Sequence, residues 1–266
     1  MYEFELKRPR NMTDALQALA AEDAQILGGG QTLIPTMKAR LSMTETLVAL
    51  SGIEDIKGVC RDDAGRVCIG GGTTHAAVAR ACADSYPALA SLAGRIGDPA
   101  VRTRGTIGGS LANNDPSACW PAAALASGAT VVTHLRKIAA EDYFQGMFAT
   151  ALDDAEIITE VCFPVPVRAA YEKFIQPASR FPLVAVFVAQ FDDAVRVAVT
   201  GAAADGVFRW TAAETALTTQ FAPGALDGVA LPDAGDMLSD LHGDGSYRAH
   251  LVGVMTRRAV VSAGGQ

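Results

Sequence analysis

Leu27-Gly28-Gly29-Gly30-Gln31-Thr32-Leu33 and, roughly eighty residues later, Gly105-Thr106-Ile107-Gly108-Gly109-Ser110 are the two stretches that decide how this chain is read. Glycines lack a Cβ, so successive backbone N–H groups can converge into an anion-binding concavity, and small hydroxyls such as Thr32, Thr106 and Ser110 can complete it. Two such loops brought together would share one pyrophosphate. The competing reading is two ordinary tight turns. Neither is the dinucleotide fingerprint of a doubly wound fold, because Gly28 and Gly30 begin a G-x-G whose sixth position is Leu33.

The first run sits inside an α/β unit. Glu3 to Leu6 predicts a strand, Thr13 an N-cap for an amphipathic helix through Ala20, and Ala24 to Leu27 a short strand entering the glycines. Leu33 to Leu41 predicts a helix with Pro35 in its first turn, and Thr46 to Leu50 a buried strand. From Ile53 the texture becomes strands, glycine turns and alanine-rich helices. Val67-Cys68-Ile69 leads into Gly70-Gly71-Gly72, His75 to Ala83 and Tyr86 to Gly94 predict helices, and Arg104 to Pro116 a long loop. Strands are expected at Ala129 to Leu135 and Glu156 to Phe163, and Pro164-Val165-Pro166 marks a domain boundary. Beyond it, Tyr171 to Gln176, Leu183 to Phe191 and Ala194 to Gly201 predict antiparallel strands, followed by helices near Ala212 to Thr218 and Tyr247 to Val261. Strands followed by helices make this a small α+β domain.

Composition excludes several classes. The chain has 266 residues, half of them apolar, with 29 acidic against 22 basic side chains, which describes one or two globular domains rather than disorder. A net charge of −7 gives no basis for binding nucleic acid or an anionic membrane. The longest uncharged stretch, Pro116 to Leu135, is too broken by proline, glycine and polar residues to span a bilayer. The N-terminus lacks a signal-peptide pattern, so a cytoplasmic location is expected. Cysteines 60, 68, 82, 119 and 162 are odd in number and form no C-x-x-C, which argues against a disulfide framework, a zinc site or an iron–sulfur cluster within the chain. There is no phosphate-loop motif, no H-E-x-x-H and no G-x-S-x-G. His75 reads as a helix-start residue rather than a base, having no visible orienting partner. No catalytic residue and no metal ligand is assigned.

Longer stretches carry a resemblance. Leu27-Gly-Gly-Gly-Gln-Thr-Leu-Ile-Pro-Thr-Met-Lys-Ala-Arg-Leu41 resembles the first FAD loop of the medium, flavin-carrying subunit of molybdenum hydroxylases, the group of aerobic carbon monoxide dehydrogenase and the flavin part of xanthine dehydrogenase. Ile96-Gly-Asp-Pro-Ala-Val-Arg-Thr-Arg-Gly-Thr-Ile-Gly-Gly-Ser-Leu-Ala-Asn-Asn-Asp-Pro116 resembles its second. Likeness continues through Phe144 to Phe148, Glu156 to Glu160, Pro177 to Arg180 and Tyr247 to Leu251, covering essentially the whole chain.

The resemblance implies an α+β protein. Residues 1–166 would be a two-part FAD-binding domain of the vanillyl-alcohol oxidase type (about 1–52 and 53–166), and 167–266 a carbon monoxide dehydrogenase flavoprotein C-terminal domain. It implies non-covalent FAD held by Leu27, Gly28, Gly29, Gly30, Gln31, Thr32 and Leu33 and by Thr106, Ile107, Gly108, Gly109 and Ser110. Asn113, Asn114 and Asp115 would add polar contacts, and Ile96 and Ile158 apolar surface. Two positions depart from the family pattern: Cys119 stands where Asp is common near the adenosine end, and Gln176 where a basic residue is common near the flavin. The implied partners are a large molybdenum–pterin subunit and a small subunit with two [2Fe–2S] clusters, as a heterotrimer doubled to a heterohexamer, plus an external acceptor: NAD⁺, a quinone or oxygen. The alternatives are a stand-alone FAD oxidase or reductase of the same superfamily, and a non-enzymatic binding module.

Overall fold

A computed structural model describes residues 1–265. The first layer is a parallel sheet in the order β1 (Glu5–Lys7), β3 (Thr46–Ala49), β2 (Ala24–Leu27), with α1 (Met12–Leu19) and α2 (Leu33–Lys38) as its connections. The central strand β3 is buried throughout and apolar after Thr46, as suits a strand covered on both faces. Helix α1 is capped by Asn11, whose side chain accepts the Asp14 N–H at 2.8 Å, rather than by Thr13. Two residues upstream of the expected cap, Asn11 has the extended backbone a cap requires.

The second region folds around an antiparallel sheet in the order β4 (Val59–Arg61), β5 (Val67–Gly70), β10 (Ile158–Phe163), β6 (Thr130–Thr133), β7 (Lys137–Ala139). Between β5 and β6 run α3 (His75–Ala81), α4 (Pro87–Gly94), α5 (Pro99–Arg102), α6 (Ile107–Asn113) and α7 (Trp120–Ser127). A short α8 (Ala140–Tyr143) and the hairpin β8 (Phe144–Gly146) and β9 (Ala149–Thr150) precede β10. The expected loop from Arg104 to Pro116 is therefore mostly helix α6. Its glycines adopt helical rather than left-handed backbone because Thr106 caps it, its Oγ1 accepting the Gly109 N–H at 3.1 Å.

A disulfide joins Cys68 to Cys162, against the expectation from the cysteine pattern. The two are 94 residues apart in sequence, yet the β5–β10 register sets them directly opposite one another, which linear spacing does not reveal.

After Pro164-Val165-Pro166, four antiparallel strands follow in order: β11 (Arg168–Ile175), β12 (Pro182–Gln190), β13 (Val195–Ala203) and β14 (Gly206–Arg209). Helices α9 (Thr211–Thr219) and α10 (Gly245–Gly264) cover one face, packing on Val184, Val186, Val188, Val197 and Val199. The alternate residues Tyr171, Ala185, Phe187, Ala189 and Ala198 join the core of the second region, where every residue of α7 is buried. Phe187 meets Tyr86 edge-on at 6.3 Å between ring centres and Tyr171 at 6.4 Å. This shared core makes the sheet a common wall. Phe187→Ala is expected to cost ~3–5 kcal/mol, as other buried Phe truncations do, seen as a lower urea midpoint with an unchanged slope.

Candidate functional site: a cleft between glycine runs

Strand β2 delivers Gly28, Gly29 and Gly30 to the start of α2, and Gly30, at φ +71°, turns the chain into that helix. The two glycine runs meet backbone to backbone. A Cβ on Gly28 would stand 3.2 Å from Thr106 Oγ1 and 3.6 Å from Gly109 Cα, and one on Gly29 would collide with the Arg104 carbonyl and Gly105. The second run rests on a third, Gly70-Gly71-Gly72. Gly108 N–H donates to the Gly71 carbonyl at 2.9 Å, Ile107 N–H to Thr73 at 3.1 Å, and Thr106 bridges Thr74. A Cβ on Gly108 would lie 2.7 Å from that Gly71 oxygen.

His75 begins α3 under this stack. Its Nδ1 accepts the indole N–H of Trp120 at 3.1 Å, and its backbone N–H donates to the Gly105 carbonyl at 2.9 Å. Burial, reinforced by the Arg102 guanidinium, pushes the imidazole down to about 4. The ring is therefore neutral at physiological pH and carries its proton on Nε2. The orienting partner missing from the sequence is Trp120, 45 residues away.

These elements line a cleft of about 1470 Å³. That exceeds the ~300–1,000 Å³ of ordinary small-molecule pockets and suits a long, two-ended ligand. Of the residues singled out in the sequence, Leu27, Gly28, Gly29, Gly30, Gln31, Thr32, Leu33, Ile96, Thr106, Gly108, Gly109, Ser110, Asn113, Asp115 and Ile158 lie on its wall. The N–H groups of Gly29, Gly30, Gln31 and Thr32 donate to no backbone carbonyl among the described residues.

Four others lie off the wall. Ile107 is fully buried in the core. Asn114, left-handed at φ +41°, ends α6 and donates from Nδ2 to the carbonyls of Gly146 and Ala149 at 2.9 and 2.8 Å, pinning the β8–β9 hairpin. Cys119 is buried with its Sγ 3.6 Å from Lys173 Nζ, which also donates to the Arg95 carbonyl at 3.0 Å. Gln176 stands at the end of β11, and Phe181, across the turn from it, reaches the cleft instead.

The wall formed by Glu156, Ile157 and Ile158 is anchored by a buried carboxylate. Glu156 accepts from Thr133 Oγ1 at 2.6 Å, from Arg136 at 3.1 and 2.9 Å, and from the Asp153 N–H at 2.8 Å. The Arg136 guanidinium, helped by the Thr133 hydroxyl and the Asp153 N–H, holds this carboxyl down to about 2 despite its burial. Sequence reading missed this anchor, because its cation and hydroxyl come from 20 and 23 residues upstream.

Residues 2–166 match the family described as the FAD binding domain in molybdopterin dehydrogenase. The chain belongs to this family. It is 35% identical to the carbon monoxide dehydrogenase medium chain of Afipia carboxidovorans, over 98% of this chain and 96% of that one. It is 33% identical to the nicotine 6-hydroxylase medium subunit of Paenarthrobacter nicotinovorans, over 96% and 95%. A chain in the structure of reconstituted CO dehydrogenase from Oligotropha carboxidovorans superimposes with a TM-score of 0.88 at 32% identity, covering 98% of each chain. This is thus an FAD-carrying medium subunit of a molybdenum-dependent oxidoreductase, and its mixed α+β architecture is that of its relatives.

The Glu156 anchor has a pH signature. A carboxyl depressed in the folded state contributes stability that is complete above its unfolded pKa of ~4.3 and is lost as pH falls toward the folded value. Glu156→Gln is expected to lower the thermal midpoint at pH 7, with the difference from the parent chain shrinking between about pH 4.5 and about 2.

Proposed function

We propose that the chain holds one FAD, without a covalent link, in the cleft between the glycine runs. It would pass electrons arriving from the [2Fe–2S] clusters of a small partner subunit to an external acceptor. The observation that carries the siting is the backbone contact of Gly28 and Gly29 with Thr106, Gly109 and Arg104, a cradle that any Cβ would fill. The free N–H groups from Gly29 to Thr32, with Thr106 and Ser110 opposite, are the donors for a pyrophosphate. Gln31, Asn113 and Asp115 would add polar contacts, and Ile96 and Ile158 apolar surface. When bound, the isoalloxazine ring supplies the electron chemistry, and the chain supplies orientation, hydrogen bonds and exclusion of water.

The cleft composition supports a non-covalent link. Among the described residues no cysteine lines it, and its histidine, His75, has Nδ1 engaged by Trp120. A stand-alone oxidase would need a free acid or base beside the flavin. Two of the titratable groups on the wall are already committed: Glu156 to Arg136, and His75 as a neutral ring.

In the same reading, residues 1–166 form the FAD-binding domain and 167–266 the flavoprotein C-terminal domain. The oxidised substrate is selected by a large molybdenum–pterin subunit, which fits relatives named for carbon monoxide and for nicotine sharing this chain type. The assembly is a cytoplasmic heterotrimer doubled to a heterohexamer.

Acid precipitation of the yellow chain is expected to leave all flavin in the supernatant; flavin in the pellet contradicts the non-covalent link. Gly29→Ala must push the two runs apart. An overpacking cost of ~1–3 kcal/mol predicts FAD binding weakened about five- to hundredfold, with circular dichroism unchanged. Gly224→Ala, at an exposed glycine with only a side-chain oxygen at 3.9 Å in reach, should bind FAD like the parent. The isolated flavin-loaded chain should turn over no simple alcohol or aldehyde, and steady turnover by it alone would favour the stand-alone oxidase.

A further inference from the structure

Cys60, Cys68 and Cys162 stand in one row across three neighbouring strands. Cys60 on β4 is the register partner of Cys68 on β5, and Cys68 of Cys162 on β10. Directly opposed residues of antiparallel strands point to the same face. The flanking Val59, Val67, Ile69, Val161 and Phe163 pack in the core, so the cysteine row lies on the other face.

Two features make the row more than a structural cross-link. The disulfide partners are sealed, with Cys68 2% and Cys162 3% exposed, whereas Cys60 is a free, exposed thiol. The sulfur of Cys60 also meets a side chain from β10. It lies 4.0 Å from one carboxylate oxygen of Glu160, whose other oxygen lies 3.2 Å from Cys162 Sγ. Glu160 pairs with Gly70, which offers no side chain to keep them apart. Cys68 thus has Cys60 on one neighbouring strand and its present partner on the other, so the strand order sets an attacking thiol and a leaving thiol on opposite sides of it.

We propose that Cys60 is the entry point of a thiol–disulfide relay, through which low-molecular-weight thiols and disulfides reach the buried Cys68–Cys162 bond. The Cys60 thiolate attacks Cys68 Sγ, the Cys60–Cys68 bond forms, the Cys68–Cys162 bond breaks, and Cys162 leaves as thiolate with no net change of electrons. An external thiolate then attacks the exposed Cys60 sulfur, forming a mixed disulfide there and releasing Cys68 as thiolate. A second external thiol resolves the mixed disulfide. The sum is two external thiols oxidised to one disulfide and the Cys68–Cys162 bond reduced to two thiols. Because Gly70 and Gly71 follow Cys68, and Ile158 lies on β10, the relay acts on the two strands that lead to the cleft.

The test uses the full flavin-loaded chain, prepared without added thiol. The parent, Cys60→Ser and Cys162→Ser chains are exposed to reduced or oxidised glutathione, quenched by alkylation and mapped as non-reduced peptides. In Cys162→Ser, oxidised glutathione should yield a Cys60–Cys68 disulfide. In Cys60→Ser, reduction of Cys68–Cys162 by limiting reduced glutathione should slow at least tenfold relative to the parent chain. Cys68 and Cys162 both alkylated as free thiols in the air-exposed parent, glutathione fixed on Cys60 with no Cys60–Cys68 peptide in Cys162→Ser, or equal reduction rates with and without Cys60 would each overturn the proposal. If Cys162→Ser fails to fold, the rate comparison with Cys60→Ser decides alone.

Discussion

Everything about the cleft depends on two stretches of main chain approaching more closely than side chains permit. Gly28 and Gly29 lie against Thr106, Gly109 and the Arg104 carbonyl, and Gly108 lies against Gly71. Three segments far apart in sequence are stacked at backbone distance. Only hydrogen atoms separate their α-carbons from the neighbouring chain, so the donors facing the cleft are main-chain N–H groups, fixed by the fold and free of side-chain entropy. A site of this kind is preorganised for an anion but has little capacity for acid–base chemistry, which suits a subunit that holds a redox cofactor rather than transforming a substrate.

The stack is held in place by the rest of the molecule. His75 and Trp120 brace it from below through one hydrogen bond between buried rings. Trp120 opens α7, which is buried against both the five-stranded sheet and the C-terminal sheet. The chain leaving α6 is tied to that C-terminal sheet directly: the Thr200 hydroxyl lies 2.9 and 2.8 Å from the carbonyls of Pro116 and Ala118, which share its one proton, and Gly201 N–H donates to Pro116 at 2.8 Å. The C-terminal sheet is therefore hydrogen-bonded to the segment that follows the second glycine run. This connection gives the C-terminal region a structural role at the cleft, although Phe181 is its lining residue.

The glycine runs and their hydroxyls were legible in sequence because their chemistry is local, a string of small residues with Thr or Ser beside it. Three of the four C-terminal strands and α10 were legible because alternation and helical spacing are local too, whereas the short β14 was not. What escaped depends on register and packing. The helix α6 was hidden behind glycines that discourage helices, and the Thr106 cap with the Gly71 contact overrides that propensity. Cys119 and Asn114 sit beside residues of the cleft, but Asn114 at the end of α6 turns to the β8–β9 hairpin and Cys119 at the start of α7 turns to Lys173. Likewise no linear pattern announces that Cys68 faces Cys162 or that Arg136 reaches Glu156.

The central claim is that one ligand anion is shared by the two glycine runs. A crystal structure of the flavin-loaded chain tests it most directly. The account predicts pyrophosphate density within hydrogen-bond distance of N–H groups in both Gly29–Thr32 and Thr106–Ser110. Flavin bound with its pyrophosphate touching only one run, or lying outside this cleft, would contradict it.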